Sequence, residues 1–399
     1  MNEEAFKAME KEAELNILRD LIKIQTPNSN ELRVAEYIGK LFDAHGISYY
    51  IDKFDDDPTR ANLVAEIGEK ETDDVLAFAG HQDTVAITDP DDWTHDPFDP
   101  VIEGDKLYGR GAADMKSGLA AQIIALIDLA DSGVKIPGTL RFIATAGEEY
   151  GTPGAWKLNA AGVVKDVSAL VIGEPTSGDV IYAHSGSMNY KVVSHGTAVH
   201  SSTPELGVNA IKGLNAFINA EDTLFDDAGE DPYLGHVKHS ITLISGGDQV
   251  NIIPDHAELW GNIRPTETFN NDQVIEHLES AIRQLNDSTP FNLELTITHN
   301  FLPVETEPDN EFVQLVKTAS DNAYAADDRT PKLDTINGAT DASVFVTTND
   351  QMPVVIFGAD QWDKAHQVNE YTTLSSFYAT IDGYEEIAKK YFEVKVAAK

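Results

Sequence analysis

Apolar residues along the first half of the chain predict helices that alternate with short buried strands. Residues 4–24 have apolar side chains near helical spacing, and a second helix is predicted up to about Ala44. Three short apolar runs, at 75–79, 139–145 and 169–172, are typical of strands buried on both faces. Strand, loop and helix in this rhythm predict an α/β fold, with helices on both faces of a mainly parallel sheet.

The pattern changes near residue 181. Strands are predicted at 190–194, 240–244, 257–263 and 293–298, and helices at 209–220 and 273–285. Their order, β-α-β-β-α-β, indicates a compact α+β unit of the ferredoxin-like kind. A helix at 311–325, a strand at 354–357 and a helix at 374–391 then resume the first pattern. We therefore expect one domain (1–180 and 296–399) that is interrupted by a smaller one (181–295).

The amino-acid composition excludes several classes of function. The 399 residues include no Cys, which excludes disulfides, thiolate catalysis and Cys-ligated zinc. Acidic residues outnumber basic ones by 67 to 29, for a net charge of −38, which argues against nucleic acid and anionic membranes as partners. Most of these acids are interpreted as a solvated surface, and the remainder as groups that hold cations. With no apolar run of membrane-spanning length and no signal peptide visible, we expect a cytoplasmic protein.

Candidate metal ligands follow the predicted buried strands. His81, the pair Glu148 and Glu149, and Glu174 each come directly after such a strand, and His366 lies a few residues past another. In open α/β sheets, ligands bind in the crevice outside the carboxyl ends of the strands. The fold is therefore expected to bring these distant side chains to one edge of the sheet.

A glycine-rich loop, residues 108–118, carries a further carboxylate, Asp114. The loop fits neither phosphate-binding glycine motif, so a phosphate cradle is disfavoured, and a tight turn from strand to helix is the plain alternative. Two His and three carboxylates are too many for one catalytic zinc, which takes three protein ligands and a water. They suit two metals that share a carboxylate, and Asp114, short and held in a rigid loop, is the natural bridge.

Three further groups have more than one interpretation. Asp83 could accept the second ring N–H of His81, or it could cap a turn. Of the adjacent Glu148 and Glu149, one is expected to bind metal and the other to act as general base, although a Glu pair alone is typical of a solvated helix start. Arg264 could hold a carboxylate or form a surface ion pair.

Seven segments resemble those of the M20 metallopeptidases and deacylases, in the family's order and across nearly the whole chain. They are 80–85, 109–118, 147–151, 173–176, 200–202 with 207–210, 251–254, and 365–370. The resemblance implies a catalytic domain with two zinc ions, for which Co²⁺ or Mn²⁺ could substitute. It also implies an inserted lid domain through which members often form homodimers, and a cis peptide bond after Asp114.

The resemblance also implies a role for each site residue. It assigns His81 and Glu174 to one metal, Glu149 and His366 to the other, and Asp114 as the bridge. Glu148 becomes the general base and Asp83 the carboxylate that orients His81. His200 would polarise the scissile carbonyl in a partner's active site. The residues implied to bind or line the substrate are Arg264, Asn251, Gly338 and Thr340.

These expectations amount to a two-zinc amidohydrolase that acts on a small N-acyl amino acid. N-succinyl-LL-diaminopimelate is the first candidate, and N-acetylornithine or a dipeptide are the alternatives. Residues 185–189, where the family often has a basic residue, contain none, which counts against recognition of a succinyl carboxylate at that position. A hypothesis of another class is a non-catalytic dimerisation or ligand-binding module, but no ligand position is lost.

Overall fold

The computed structural model describes residues 9–327, 329–360 and 362–397. Its helices are α1 (Lys11–Lys23), α2 (Glu31–Ala44), α3 (Lys116–Ser132), α4 (Pro153–Ala160), α5 (Ala210–Glu221), α6 (Asn271–Ser288), α7 (Glu311–Ala323), α8 (Ala342–Phe345) and α9 (Leu374–Ala397). Its strands are β1 (Ser48–Lys53), β2 (Ala61–Ile67), β3 (Val75–His81), β4 (Val101–Glu103), β5 (Lys106–Tyr108), β6 (Thr139–Thr145), β7 (Ala169–Ile172), β8 (Val180–His184), β9 (Ser187–His195), β10 (Val199–His200), β11 (Lys238–Gly246), β12 (Ile252–Ile253), β13 (His256–Arg264), β14 (Asn292–Phe301), β15 (Val304–Glu305), β16 (Leu333–Ile336), β17 (Val354–Ile356) and β18 (Tyr371–Thr373).

The described chain divides into two compact units. The first takes the residues up to 182, 305–334 and those from 340 onward, and the second takes 183–304 and 335–339. Among the described residues, no helix combines the length and the apolar composition that crossing a membrane requires.

The first unit is built on a large sheet whose central strands are parallel. The strand order is β1-β2-β6-β3-β7-β17-β8-β15, and β6, β3, β7 and β17 run parallel to one another. Every residue of β3, β6 and β7 is buried, as expected for central strands covered by helices on both faces. The α/β class with a mainly parallel sheet is therefore confirmed, although β1 and β2 pair antiparallel at one edge.

Helix α3 is the central helix of this unit and is buried around almost its entire circumference. It begins directly after the glycine-rich loop. A Cβ on Gly118, in its first turn, would lie 1.9 Å from the carbonyl oxygen of Gly173, so only glycine allows this approach. Lys116, also fully buried, donates from Nζ to the carbonyl oxygens of Leu21 and Ile24. These contacts place the loop that precedes α3 beside the segment that follows β7.

The second unit has the predicted β-α-β-β-α-β order. Its four strands form an antiparallel sheet in the order β11-β13-β9-β14, and helices α5 and α6 lie between them along the chain. This is the ferredoxin-like arrangement. Helix α6 begins with a capping box in which Asn270 and Gln273 exchange side-chain and backbone hydrogen bonds. The core is formed by the alternate buried residues of the strands and by the inner faces of both helices.

Some elements differ from the sequence predictions. Three short strands, β4, β5 and β18, form a separate sheet that the sequence analysis does not predict. Strands of three residues are too short to show alternation in an acidic, proline-containing stretch. The first helix begins at Lys11 rather than at residue 4, and residues 4–8 of that prediction lie outside the described residues.

Candidate metal centre

Side chains from three strand ends, from the glycine-rich loop and from the segment between β17 and β18 meet in the first unit. His81 is the last residue of β3, Glu148 and Glu149 begin a 3₁₀ turn after β6, and Glu174 follows β7. Asp114 lies in the loop before α3, and the peptide bond from it to Met115 is cis, as the resemblance implies. His366, in the segment between β17 and β18, completes the group.

Asp114 lies between the two histidines. Its Oδ1 is 2.9 Å from Nε2 of His81, and its Oδ2 is 3.2 Å from Nε2 of His366. Each ring nitrogen also faces a second carboxylate: His81 lies 3.6 Å from Oε1 of Glu174, and His366 lies 2.8 Å from Oε1 of Glu149. The five side chains thus form two nitrogen-centred groups that share one carboxylate.

These separations fit two divalent cations. Ligand atoms that bind one tetrahedral zinc at about 2.0–2.1 Å lie about 3.3 Å apart. The four nitrogen–oxygen distances around Asp114, from 2.8 to 3.6 Å, bracket that value. The second oxygen of Glu174, Oε2, is buried and has no hydrogen-bond partner among the described residues, as expected for a group that awaits a cation. Nitrogen and oxygen donors without sulfur suit Zn²⁺, Mn²⁺ or Co²⁺.

The pKa values at the centre show how strongly these groups depend on one another. Burial would lower the pKa of His81, but the charge of Glu174 and hydrogen bonds to Asp114 and Asp83 raise it well above its usual range. Burial raises the pKa of Glu174 well above its usual range, against the opposing effect of His81. Hydrogen bonds to Asp114 and Glu149 raise the pKa of His366 to about 10. The ionised form of each buried carboxylate is therefore stabilised by positive charge close to it.

Glu148 differs from its neighbour Glu149. Burial raises the pKa of Glu148 well above its usual range, and the charges of Glu174, Asp341 and Glu149 act in the same direction. A carboxyl group with a raised pKa holds a proton more readily than a free one, which suits general acid–base work. Oε1 of Glu149 lies 2.8 Å from Nε2 of His366.

Asp83 faces His81 with both its backbone and its carboxylate. Nδ1 of His81 lies 3.0 Å from the backbone carbonyl oxygen of Asp83 and 3.5 Å from its carboxylate. The carboxylate oxygens also accept the backbone N–H groups of Gly147, Glu148 and Glu149, at 2.9–3.1 Å. Asp83 therefore holds the turn that carries both glutamates. Gly147 lies in the left-handed region, at φ 74°, which favours glycine.

The residues expected to contact substrate lie mostly in the second unit. His200 and Asn251 are neighbours there, because the N–H of Ser201 donates to the carbonyl oxygen of Asn251. Nδ1 of His200 accepts the N–H of Ser202, so the neutral ring carries its proton at Nε2. Gly338 also belongs to this unit, whereas Thr340 lies in the first, where its hydroxyl accepts the N–H of Ala342.

Arg264, at the end of β13, is half-buried and forms no ion pair among the described residues. Burial lowers its pKa, and its positive charge adds to burial in lowering the pKa of His184, to about 4, and of His299. A guanidinium beside two imidazoles with lowered pKa values, and with no carboxylate partner in the described part of the chain, is suited to an anionic ligand.

Two buried acids near the centre, Asp341 and Glu370, are given no role of their own by the sequence analysis, although Glu370 ends the segment 365–370 that resembles the family. Asp341 accepts the hydroxyl of Thr145 at 2.5 Å, and burial raises its pKa to about 6. Glu370 lies beneath the Asp114 loop and is almost fully buried. The sequence signal for both is weak, because an Asp after a Gly-Ala-Thr stretch and a Glu before a short strand are also typical of ordinary turns.

Comparisons with known proteins show which family this chain matches. The family model described as peptidase family M20/M25/M40 matches residues 77–390. A protein of Staphylococcus aureus (strain MRSA252) named "Probable succinyl-diaminopimelate desuccinylase" is 36% identical over 407 residues, which cover 96% of this chain and 98% of that protein.

Two solved structures show the same fold. The M20 family metallo-carboxypeptidase Sso-CP2 from Sulfolobus solfataricus has a TM-score of 0.79 at 19% identity and covers 95% of this chain and 99% of its own. The YXEP protein of Bacillus subtilis, described as a dinuclear metal-binding peptidase from the M20 family, has a TM-score of 0.73 at 19% identity and covers 96% and 98%. The resemblance of the seven sequence segments to this family is confirmed.

The contacts of Asp83 generate a prediction about stability. In Asp83→Asn, either orientation of the amide directs its NH₂ group at one or more backbone N–H groups of residues 147–149 that now donate to the carboxylate. One buried unpaired donor costs about 1–3 kcal/mol, so the free energy of unfolding should fall by about 2 kcal/mol in urea titrations.

Asp89→Asn is the matched control, because the carboxylate of Asp89 also accepts a backbone N–H, that of Asp91, but is exposed. It should change the free energy of unfolding by less than about 0.5 kcal/mol. Equal stability of Asp83→Asn and the unsubstituted protein would show that the carboxylate does not hold the turn.

Proposed function

This chain is a hydrolase of peptidase family M20/M25/M40, and we propose that it is a two-metal desuccinylase that cleaves the amide bond of N-succinyl-LL-diaminopimelate. The observation that carries the proposal is the position of Asp114, which offers a separate oxygen to each of two histidines. The substrate is inferred from the names of the relatives that match nearly the whole chain.

The residues that would hold the metals follow from the same contacts. His81 and Glu174 would bind one cation, His366 and Glu149 the other, and Asp114 both. When bound, two divalent cations supply Lewis-acid polarisation of an amide carbonyl and lower the pKa of a water molecule. Zinc is the first candidate because the donors are imidazole and carboxylate groups, and Co²⁺ or Mn²⁺ could replace it.

Glu148 would move the proton. Its carboxylate would accept a proton from the attacking water and deliver it to the nitrogen of the leaving amine, so that the amide becomes a carboxylic acid and an amine. Asp83 supports the step by holding the backbone of the turn in which Glu148 lies.

The second unit would supply recognition of the substrate. Arg264, half-buried and without an ion pair among the described residues, would bind a substrate carboxylate, with Asn251 as a further polar contact. In the proposed homodimer, His200 would act in the active site of a partner copy, where a ring proton at Nε2 suits a donor to the scissile carbonyl. Gly338 and Thr340 would line the substrate. Recognition of the succinyl group would not involve residues 185–189, since they include no basic side chain.

A homodimer through the second unit is part of the proposal. β11 is an edge strand of the antiparallel sheet, and it presents Leu243 and Ile244, which are 64% and 58% exposed. Val250, just beyond this strand, is fully exposed. An exposed edge strand with apolar side chains is a ready surface for pairing with a second copy about a two-fold axis.

A substrate panel tests the proposed reaction. Zinc-loaded protein should hydrolyse N-succinyl-LL-diaminopimelate with a kcat/KM at least about tenfold higher than for N-acetylornithine or a dipeptide, a difference of about 1.4 kcal/mol in transition-state binding. Amine release would be measured for all three. A preference for either alternative would replace the substrate within the same family. No hydrolysis of any, with Zn²⁺ or Co²⁺ added, would favour a non-catalytic binding module.

Glu148→Gln separates proton transfer from metal binding. The variant should keep two metals per chain by elemental analysis and lose at least about 10²-fold in kcat, the usual worth of a general base. Glu36→Gln, at an exposed position on α2, should keep full activity. Near-normal turnover of metal-loaded Glu148→Gln would remove this residue from the proposed reaction.

Ile244→Lys tests the proposed dimer. A charge on the apolar edge strand should raise the dimer dissociation constant by about tenfold or more in sedimentation equilibrium, because the Lys side chains of two copies would be desolvated near each other. Val134→Lys provides the control, since Val134 is an exposed apolar residue (41%) in the other unit. A monomeric unsubstituted protein, or a dimer that Ile244→Lys leaves intact, would contradict this interface.

A further inference from the structure

Glu370 receives an unusual set of hydrogen bonds beneath the Asp114 loop. Its Oε1 accepts the backbone N–H groups of Ala113 and Asp114, at 2.9 and 3.0 Å. Its Oε2 accepts the N–H of Gly111 at 3.1 Å and Nη1 of Arg110 at 2.6 Å. The carboxylate is 1% exposed, so its four donors, one of them the charged guanidinium of Arg110, face little competition from water.

Arg110, the partner of Glu370, is 2% exposed and extends this set of contacts to two other segments. Its guanidinium donates to the carbonyl oxygens of Gln367, at 3.3 Å, and Ala86, at 3.5 Å. It also lies 5.0 Å from the ring centre of Trp93, within the range of a cation–π contact. The pair therefore joins the 86–93 segment, the Asp114 loop and the segment that carries His366.

The segment that carries His366, residues 362–369, contains little regular secondary structure. His366 is half exposed, and both it and Asn369 lie in the left-handed region, at φ 63° and 59°. No described residue of 362–369 belongs to a helix of more than one turn or to a strand. Glu370 lies at the end of this segment, and its own carbonyl oxygen accepts the N–H of Gly109. One residue thus holds the backbone of Asp114 and ends the segment of His366.

We propose that Glu370, with Arg110, is a positioning residue that sets the separation between Asp114 and His366 at which both can bind the same metal. This rests on the proposed two-metal function. His81 and Glu174 follow directly from buried central strands, so their cation does not depend on Glu370 in the same way. The cation of His366 and Glu149 should therefore lose affinity first when Glu370 is changed.

The arrangement requires a carboxylate rather than an amide. Two donors meet each oxygen of Glu370, so a Gln in either orientation would direct its NH₂ group at two donors. The loop or Arg110 would have to move, and Asp114 or His366 would move with it. Residues that orient metal ligands through hydrogen bonds typically change metal affinity by about 10–100-fold when they are replaced.

Zinc binding, measured by isothermal titration calorimetry on metal-stripped full-length protein, tests the proposal without reference to activity. The unsubstituted protein should bind two Zn²⁺ per chain. In Glu370→Gln, one of the two dissociation constants should rise about 10–100-fold, while the other changes by less than about threefold. Arg110→Lys keeps the charge but loses the planar fork, and it should produce a smaller rise in the same constant.

Asp231→Asn is the matched control. Asp231 is also buried, at 2% exposure, and its carboxylate accepts three backbone N–H groups and a hydroxyl, but it lies in the second unit. It should change stability and leave both zinc constants unchanged. Folding of each variant would be checked by circular dichroism, and Arg110→Lys decides the question if Glu370→Gln does not fold.

The positioning role would be overturned if both zinc dissociation constants of folded Glu370→Gln stayed within threefold of those of the unsubstituted protein. If Glu370→Gln does not fold, the same result in Arg110→Lys would overturn it. An equal rise in Asp231→Asn would also overturn it, because the effect would then be one of general stability. Failure of the proposed reaction is distinguishable: a protein that binds two Zn²⁺ but hydrolyses no N-acyl amino acid would refute the substrate, and the zinc comparison would still stand.

Discussion

The site depends on one constraint: the two oxygens of Asp114 must each face a different imidazole. The distances of 2.9 and 3.2 Å to His81 and His366 meet this constraint, although the two histidines lie far apart along the chain. A short side chain with two oxygens can be shared in this way only if its backbone is fixed. The glycine-rich loop, the buried start of α3 and the carboxylate of Glu370 all fix that backbone.

The buried carboxylates around Asp114 need positive charge nearby to remain ionised. Glu148, Glu174 and Asp341 all have raised pKa values because burial disfavours the ionised carboxylate. Two divalent cations would stabilise these groups in their ionised forms and would supply the chemistry of the family at the same place. The same need for compensation explains the turn after β6, where Asp83 accepts three backbone N–H groups rather than adding one more free carboxylate.

The fold was largely predictable because strand ends are visible in the sequence. The apolar runs at 139–145 and 169–172 coincide with β6 and β7, and the residues after them are those that meet at the centre. Patterns of residue type could not predict hydrogen bonds from a side chain to backbone atoms. The N–H groups that Asp83 and Glu370 accept belong to loops far away along the chain, and a backbone N–H has no residue-type signature. The strands of the three-stranded sheet were missed because three residues show no periodicity.

The claim that Asp114 joins two metals is tested most directly by the number of metals that the chain holds with and without that carboxylate. Elemental analysis after saturation with Zn²⁺ and removal of free metal should find two zinc ions per chain in the unsubstituted protein. Asp114→Asn should hold at most one, because an amide offers a single oxygen and directs a donor at the second histidine. Two zinc ions retained by Asp114→Asn, or a single ion in the unsubstituted protein, would contradict the account.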